Sequence, residues 1–309
     1  METVLITGGT GLIGQALTQL LTDHGYHVII LSRQPHGKTS EKSLITYAHW
    51  DIRRQQIDTD AIAAADHIVH LAGANVSAHR WTAAYKKEIL ESRTHSSQLL
   101  FNALQTHPNK VKKVISASAT GYYGENGPDQ APFTESNPPA TDFLGATCAA
   151  WEQSVLQMED LGKQVVIFRT GIALSRKGGA LKEFYKPLQF GFATILGNGE
   201  QWVSWIHLQD LIRLYFNAIV NPQLQGIFNA VAPQPVHHKE LVLAMARAAK
   251  GKSFIPAYVP AFALKLALGE MSTEVLKSCQ VSSLKIQDTG FLFSYPNIHA
   301  AMEQLFIKK

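Results

Sequence analysis

The chain has 309 residues, of which 46% are hydrophobic and 17% are charged, and its formal net charge is +4. This composition is typical of a soluble globular protein with a full core, and the mild charge without a Lys/Arg block argues against nucleic-acid binding. No apolar run approaches the roughly 18 residues of a membrane span, and Met1 leads directly into the first predicted strand without a signal peptide. The two cysteines, Cys148 and Cys279, fit no metal or redox spacing. We therefore predict a cytoplasmic protein with reduced thiols, no nucleic-acid partner and no membrane partner.

Short β-rich runs alternate with longer helical patterns through the first 170 residues, which is typical of a parallel sheet with crossover helices. The predicted strands are Thr3–Thr7, His27–Ser32, Leu44–Trp50, His67–Ala72, Val111–Ser118 and Gln164–Thr170. The predicted helices are Leu12–His24, Thr59–Ala65, Trp81–Thr106 and Asp142–Leu161. The pattern predicts a Rossmann fold, an α/β doubly wound parallel sheet.

The second half is less regular. We predict strands at Ala193–Leu196, Gln201–Ile206 and Gly226–Val231, and helices at Leu208–Val220, Lys239–Lys250 and Ala261–Leu268. Residues 1–232 are interpreted as the nucleotide-binding domain, with cleft-lining insertions at about 174–206, and residues 233–309 as a small α-rich C-terminal substrate or cap region. The loop Gly121–Ala140 is too long for an ordinary connector, which makes it a candidate functional loop.

A glycine-rich turn directly follows the first predicted strand and opens the first predicted helix. It reads Thr7-Gly8-Gly9-Thr10-Gly11-Leu12-Ile13-Gly14. In such a turn Gly8 permits the sharp bend, Gly11 lets the backbone approach a pyrophosphate, and Gly14 allows close packing of helix on strand. The helix N-terminus then faces the anion. The turn therefore predicts a dinucleotide site that includes Gly8, Thr10, Gly11, Leu12, Ile13 and Gly14.

The end of the second predicted strand distinguishes NADP from NAD. NAD enzymes of this fold usually carry Asp or Glu there for the ribose 2′-hydroxyl, whereas this chain reads Leu31-Ser32-Arg33. A guanidinium suits a 2′-phosphate, and Ser32 can add a hydrogen bond, so we predict NADP.

We expect Asp51, after the third strand, to lie near the adenine. Leu71, Ala72 and Gly73 would line the centre of the cofactor site.

Several stretches resemble the extended short-chain dehydrogenase/reductase superfamily, and in particular its atypical epimerase family, known as putative NAD-dependent epimerase/dehydratase proteins with a C-terminal domain of unknown function. The resemblance covers essentially the whole chain. It is carried by His70–Gly73, Ser116–Gly124, Arg169–Leu174 with Gly178-Gly179, Ser204–Leu211, Phe228–Pro233 with Pro235-Val236, and Gly290–Phe293. The resemblance implies a Rossmann fold and NADP binding. It also implies that Arg93 reaches back to the nucleotide, that Glu88 lies near the adenosine end, and that Ala173 contacts the cofactor.

The superfamily's usual chemistry uses a Ser or Thr with a Tyr-x-x-x-Lys pair, and that pair is missing. None of the nine tyrosines has a lysine four residues later, and the aligned place carries Phe143 and Thr147. Ser118 keeps the serine position at the end of the fifth predicted strand, where we expect it to lie near the nicotinamide as a catalytic and cofactor-binding residue. Either Tyr122 or Tyr123, on the loop that follows, is a candidate phenol for the pocket.

The missing lysine favours reduction of a substrate over its oxidation. An ordinary tyrosine has a pKa near 10, so only about one in a thousand is phenolate at pH 7, which is a deficit of roughly 4 kcal/mol for a general base. A neutral phenol can still donate a proton, as carbonyl or alkene reduction requires. The leading hypothesis is therefore an NADP(H)-dependent oxidoreductase, and specifically a reductase of a small-molecule substrate.

Two alternatives remain open. A non-catalytic NADP(H)-binding sensor or regulatory protein fits an intact cofactor motif beside a missing catalytic pair. A sugar-nucleotide epimerase is the third reading and rests on the family resemblance alone. The chain could be a monomer, or a homodimer that pairs through the predicted helices Trp81–Thr106 and Asp142–Leu161, as the superfamily often does.

Overall fold

Eight strands form the central sheet of the computed structural model, which describes residues 1–34, 43–127 and 130–306. The strands of the chain are β1 (Thr3–Thr7), β2 (His27–Ser32), β3 (Ile45–Asp51), β4 (Gln56–Ile57), β5 (His67–His70), β6 (Lys113–Ala119), β7 (Gln164–Thr170), β8 (Ile172–Leu174), β9 (Phe192–Leu196), β10 (Trp202–Val203), β11 (Trp205–His207), β12 (Gly226–Ala230), β13 (Val236–His237) and β14 (Ile255–Val259). The sheet order is β12-β7-β6-β5-β1-β2-β3-β4. All its neighbours pair in parallel except β3 and the short edge strand β4.

Helices cover both faces of this sheet. They are α1 (Leu12–Asp23), α2 (Thr59–Ala64), α3 (Ala83–Thr106), α4 (Phe143–Leu156), α5 (Ala180–Gln189), α6 (Leu208–Val220), α7 (His238–Lys250), α8 (Ala261–Leu268), α9 (Met271–Leu276), α10 (Leu284–Gln287) and α11 (Ile298–Phe306). Two 3-10 helices, Thr120–Tyr122 and Gln157–Leu161, follow β6 and α4. Asp58, Thr82 and Asp142 cap α2, α3 and α4, because each side chain accepts a backbone N–H of the first turn.

The alternation of side chains along β1 explains the two layers of helices. Val4 and Ile6 are fully buried in one core with Leu17 of α1 and Leu214 of α6. Leu5, between them, is fully buried in a second core on the opposite face, which α3 and α4 complete. Since successive side chains of a strand point to opposite faces, an uninterrupted apolar strand requires both layers. The predicted doubly wound Rossmann fold is confirmed.

Some predicted elements are divided in the structure. The predicted helix Asp142–Leu161 becomes α4 and a 3-10 turn that ends at Gly162, whose φ is 71°. The predicted strand Gln201–Ile206 becomes two strands with different partners, since β10 pairs with β13 and β11 pairs with β8. Such changes of partner are long-range events that a local apolar pattern does not encode.

The C-terminal part shares a core with the middle of the chain. Leu181 of α5 and Trp205 of β11 are fully buried in one cluster with Met245 of α7 and Ala301 of α11. The boundary between residues 232 and 233 stays a prediction. Within the described ranges, no helix combines the length and apolarity needed to cross a bilayer.

Candidate functional site

The glycine turn opens onto a cleft of about 370 Å³ at the carboxyl edge of the sheet. This is the edge where doubly wound sheets bind ligands. Five of the six predicted turn residues line the cleft, whereas Thr10 is exposed beside it and its carbonyl accepts a hydrogen bond from Gln15. The lining residues are Gly8, Gly11, Leu12, Ile13, Gly14, Leu71, Ile172, Ala173, Gly179 and Ala180.

Backbone geometry explains two of the glycines. Gly8 has a φ of 70°, and a Cβ built on it would lie 2.9 Å from the carbonyl carbon of Leu71. A Cβ on Gly14 would lie 2.4 Å from the carbonyl oxygen of Gly8. The turn, the start of α1 and the end of β5 therefore meet backbone to backbone, which leaves a concave cradle that fits a dinucleotide pyrophosphate.

A buried network under the turn holds this backbone in place. The hydroxyl of Thr7 accepts the N–H groups of Leu71 at 3.1 Å and Ala72 at 3.2 Å, so its own proton points to Nδ1 of His70 at 2.7 Å. The other ring nitrogen of His70 then donates to Ser97 of α3 at 3.2 Å. Burial, reinforced by the charge of Arg93, lowers the pKa of His70 to about 3. The imidazole is therefore neutral at pH 7, and the network is structural.

The predicted adenosine end is open to solvent. Arg33 is exposed at the end of β2, and the hydroxyl of Ser32 exchanges hydrogen bonds with the backbone of Gln34. Asp51 ends β3, and its carboxylate accepts the N–H groups of Arg53 and Arg54, which together with the Arg54 charge lower its pKa.

Two predicted cofactor residues lie on α3 in different surroundings. Glu88 is exposed. Arg93 lies against Gly73, where an added Cβ would be 3.1 Å from its Cζ, and its guanidinium stacks 5.0 Å from the Trp151 ring centre. Its side chain donates to the carbonyl of Ile89 at 2.8 Å, and no carboxylate of the described residues lies within ion-pair distance of it. Burial lowers its pKa, but an arginine stays charged at pH 7. Arg93 is therefore a cation with unused donors beside Gly73, which is predicted to line the centre of the cofactor site. This arrangement fits an oxygen-rich cofactor.

Three neighbouring strands place polar side chains at the same register. Ser118 of β6 pairs with Arg169 of β7, which pairs with Asn229 of β12. Glu152 of α4 covers the first two. It accepts two hydrogen bonds from Arg169, at 2.9 and 2.8 Å, and one from the Ser118 hydroxyl at 2.6 Å. All four side chains are buried. Burial alone lowers the pKa of Arg169, but the bonds and charge of Glu152 outweigh it and raise the pKa, so the guanidinium stays charged.

The structure separates the two candidate tyrosines. Tyr123 is fully buried, stacks on Phe133, and donates its hydroxyl proton to Asn229 at 2.7 Å while accepting from Arg169 at 2.9 Å. Burial raises its pKa to about 12. The prediction that either tyrosine could supply a phenol to the pocket is therefore corrected for Tyr123. Its hydroxyl is buried away from any ligand, and its proton is already donated to Asn229. Tyr122 is half-buried, the guanidinium of Arg169 lies 3.4 Å from its ring centre, and its hydroxyl has no partner among the described residues.

The positions that correspond to the missing Tyr and Lys, Phe143 and Thr147, provide no other general base. Phe143 packs edge-on against Trp81 with ring centres 5.0 Å apart, and the Thr147 hydroxyl donates to the Phe143 carbonyl at 2.7 Å. Cys148, one residue on, is buried, and burial raises its thiol pKa to about 12. No group of three or more His, Cys, Asp or Glu suited to a metal ion occurs among the described residues.

Sequence reasoning missed the partners of Ser118 and part of the cleft. Arg169 contributes to the family resemblance only as part of a motif, although a charged residue inside an apolar strand is a signal that it needs a buried partner. Glu152 lies one residue after a core tryptophan on α4, where nothing local reveals its partner. Ile172 joins the cleft through the path of β8, whereas Gly179 and Ala180 lie in the predicted cleft-lining insertion at about 174–206.

The comparisons with known proteins agree with this fold. The model of the NAD dependent epimerase/dehydratase family matches residues 4–230, and the model of a domain of unknown function, DUF1731, matches residues 259–305. An epimerase family protein of Staphylococcus saprophyticus is 38% identical over 307 residues, with 99% of each chain covered. One of Staphylococcus aureus strain MRSA252 is 37% identical over 310 residues, with 100% of each covered.

Two solved structures are also similar to this chain. A human epimerase family protein, crystallised with NADPH, has a TM-score of 0.85 and 29% identity over 98% of each chain. A nucleoside-diphosphate sugar epimerase from Corynebacterium glutamicum has a TM-score of 0.76 and 31% identity, and this chain spans 59% of that one.

Proposed function

Because the chain belongs to the NAD dependent epimerase/dehydratase family, we propose that it is an NADP(H)-dependent oxidoreductase that reduces a small-molecule substrate. The observation that carries the proposal is the Tyr122 phenol. It stands half-buried beyond the carboxyl end of β6 in a chain without a Tyr-x-x-x-Lys pair. Without an adjacent lysine, a phenol is a far better proton donor than proton acceptor at pH 7.

The cradle and its surroundings support the following roles. The turn from Gly8 to Gly14 would hold the pyrophosphate, Arg93 the nicotinamide end, and Arg33 with Ser32 the 2′-phosphate. When bound, NADPH would supply the hydride to a carbonyl or activated alkene carbon. Tyr122 would donate its phenolic proton to the substrate, and solvent would then reprotonate it. Arg169, fixed by Glu152, would hold the Tyr122 ring in place.

The choice of NADP is supported by Arg33 and by the human relative crystallised with NADPH. We expect Arg33→Ala to weaken NADPH binding by about 1–3 kcal/mol, as for a lost charged hydrogen bond, and to leave NADH binding unchanged. Calorimetric titration of both nucleotides checks this. The control is Lys250→Ala, which removes one positive charge from the exposed end of α7. An equal effect on both nucleotides, or none, would remove the NADP assignment.

The proposed reductase activity is tested by following NADPH consumption at 340 nm and pH 7 with a panel of aldehydes, ketones and activated alkenes. We expect turnover, and we expect Tyr122→Phe to lower kcat at least about 100-fold, the scale of a lost general acid, with NADPH affinity unchanged. Tyr258→Phe, at a half-exposed position of β14, is the control. NADP⁺-dependent alcohol oxidation that is efficient at pH 7 and needs Tyr122 would contradict the reductase proposal. NADPH binding without any turnover would favour the sensor alternative.

A further inference from the structure

An apolar wall stands beside the proposed reaction site. Its base is the buried trio of Trp81, which directly precedes the Thr82 cap of α3, and Tyr85 and Ile89 in the first two turns of that helix. Its partly exposed members are Ala74, Val76, Phe143, Leu144 and Met271. They come from the loop after β5, the start of α4, and α9 of the C-terminal region, so three separate parts of the chain supply one apolar surface.

Two contacts connect the wall with the predicted cofactor site and with the segment that carries Tyr122. At one end, Ala74 directly follows Gly73, against which Arg93 packs. At the other end, a Cβ on Gly121 would lie 3.3 Å from Cδ1 of Leu144, and Gly121 directly precedes Tyr122. Under the proposed function, a substrate that reaches both Arg93 and the Tyr122 phenol would lie against this surface.

The polar groups of the wall are already occupied. The indole N–H of Trp81 donates to the Val76 carbonyl at 2.8 Å, and the Tyr85 hydroxyl donates to the Asn75 carbonyl. At the sheet edge, the one proton of the Ser118 hydroxyl goes to Glu152. None of these donors is left for the hydroxyl groups of a sugar.

Lys86 and Lys277, beside the wall, are held in ion pairs, whereas Arg93, near the Gly73 end, is assigned to the nucleotide under the proposed function. Lys86 donates to both carboxylate oxygens of Glu270 at 2.9 Å. Lys277 contacts Asp142 at 2.7 Å and also bonds Glu274. Arg80 donates to two carbonyls at the end of α8. A nucleotide diphosphate placed here could gain the charge of Lys86 or Lys277 only by breaking an ion pair, which costs free energy that a neutral apolar ligand avoids.

We infer that this site takes an uncharged apolar molecule, an aliphatic or aromatic carbonyl compound or activated alkene, and that Phe143, Leu144 and Met271 select it against sugar nucleotides. The inference rests on the proposed function and names its substrate class. Apolar side chains from three elements favour a ligand in proportion to the apolar surface that it buries.

The experiment uses the full chain saturated with NADPH and the primary alcohols from butanol to octanol, which cannot react with the reduced cofactor. Calorimetry should show affinity rising about fourfold for each added methylene, and no binding of UDP-glucose. Met271→Gln should weaken octanol binding at least about tenfold while NADPH affinity stays unchanged. Leu144→Gln is a second variant with the same expected effect, and Leu266→Gln, on the exposed face of α8, is the matched control.

The outcomes separate the two proposals. NADPH is titrated first on each sample, and failure of the wild type to bind it would overturn the proposed function itself. NADPH binding with UDP-glucose binding more tightly than octanol would overturn only the apolar substrate class. Octanol binding that is unchanged in both Met271→Gln and Leu144→Gln would show that the wall is not the binding surface, and would also overturn the inference.

Discussion

Replacing Glu152 by glutamine is expected to lower the free energy of unfolding by about 3–5 kcal/mol, the cost of leaving one member of a buried ion pair without its partner. Arg169 is 2% exposed, and both of its hydrogen bonds to Glu152 are made inside the core. The glutamine amide can accept from one guanidinium nitrogen but carries no compensating charge. Urea unfolding, followed by circular dichroism, measures the change.

Two further variants identify the cause of that loss. Combining Glu152→Gln with Arg169→Met removes the stranded charge and should restore a large part of the stability, since well-packed apolar residues often replace buried ion pairs at little cost. Glu183→Gln breaks the exposed pair with Lys186 and should change stability little. If the double variant were no more stable than Glu152→Gln alone, the buried charge would not be the reason for the loss.

Gly14→Ala is expected to lose both stability and NADPH binding, whereas Gly11→Ala is expected to lose NADPH binding alone. A Cβ at position 14 would lie 2.4 Å from the Gly8 oxygen and 2.6 Å from the Gly9 Cα, so the turn itself must move. We expect a loss of about 2–3 kcal/mol in unfolding free energy, as for overpacking, together with loss of NADPH binding. A Cβ at position 11 would meet only the Gly8 oxygen, at 3.3 Å, and the backbone there, with φ −78°, suits any residue.

Gly11→Ala should therefore keep nearly its full stability and still lose at least about tenfold in NADPH affinity, because its methyl group would occupy the space where a pyrophosphate approaches the backbone. Urea unfolding and NADPH calorimetry on both variants check the contrast. Equal losses of stability, or a Gly11→Ala variant that binds NADPH as the wild type does, would show that the two glycines do not divide packing and binding in this way.

Most of the fold could be predicted because its signals are local. β1, β2 and β7 have the bounds expected from their apolar runs, and α6 and α8 have those expected from helical spacing. The elements predicted less well depend on partners far along the chain. The segment from Gln201 to Ile206 divides into β10 and β11, which pair with different strands. The sequence of the segment does not reveal which strands those are.

Spacing along the chain defines the glycine turn, its place after β1, the strand-end Arg33 and the missing Tyr-x-x-x-Lys pair, so each of these is evident without the fold. The tertiary structure alone distinguishes Tyr122 from Tyr123, since burial and the hydrogen bonds of Arg169 and Asn229 make the difference. It alone joined Glu152 to Ser118, and Met271 to Phe143. The physical reason is that turns and periodicity follow from neighbouring residues, whereas burial, ion pairing and a shared apolar wall follow from which distant segments pack together.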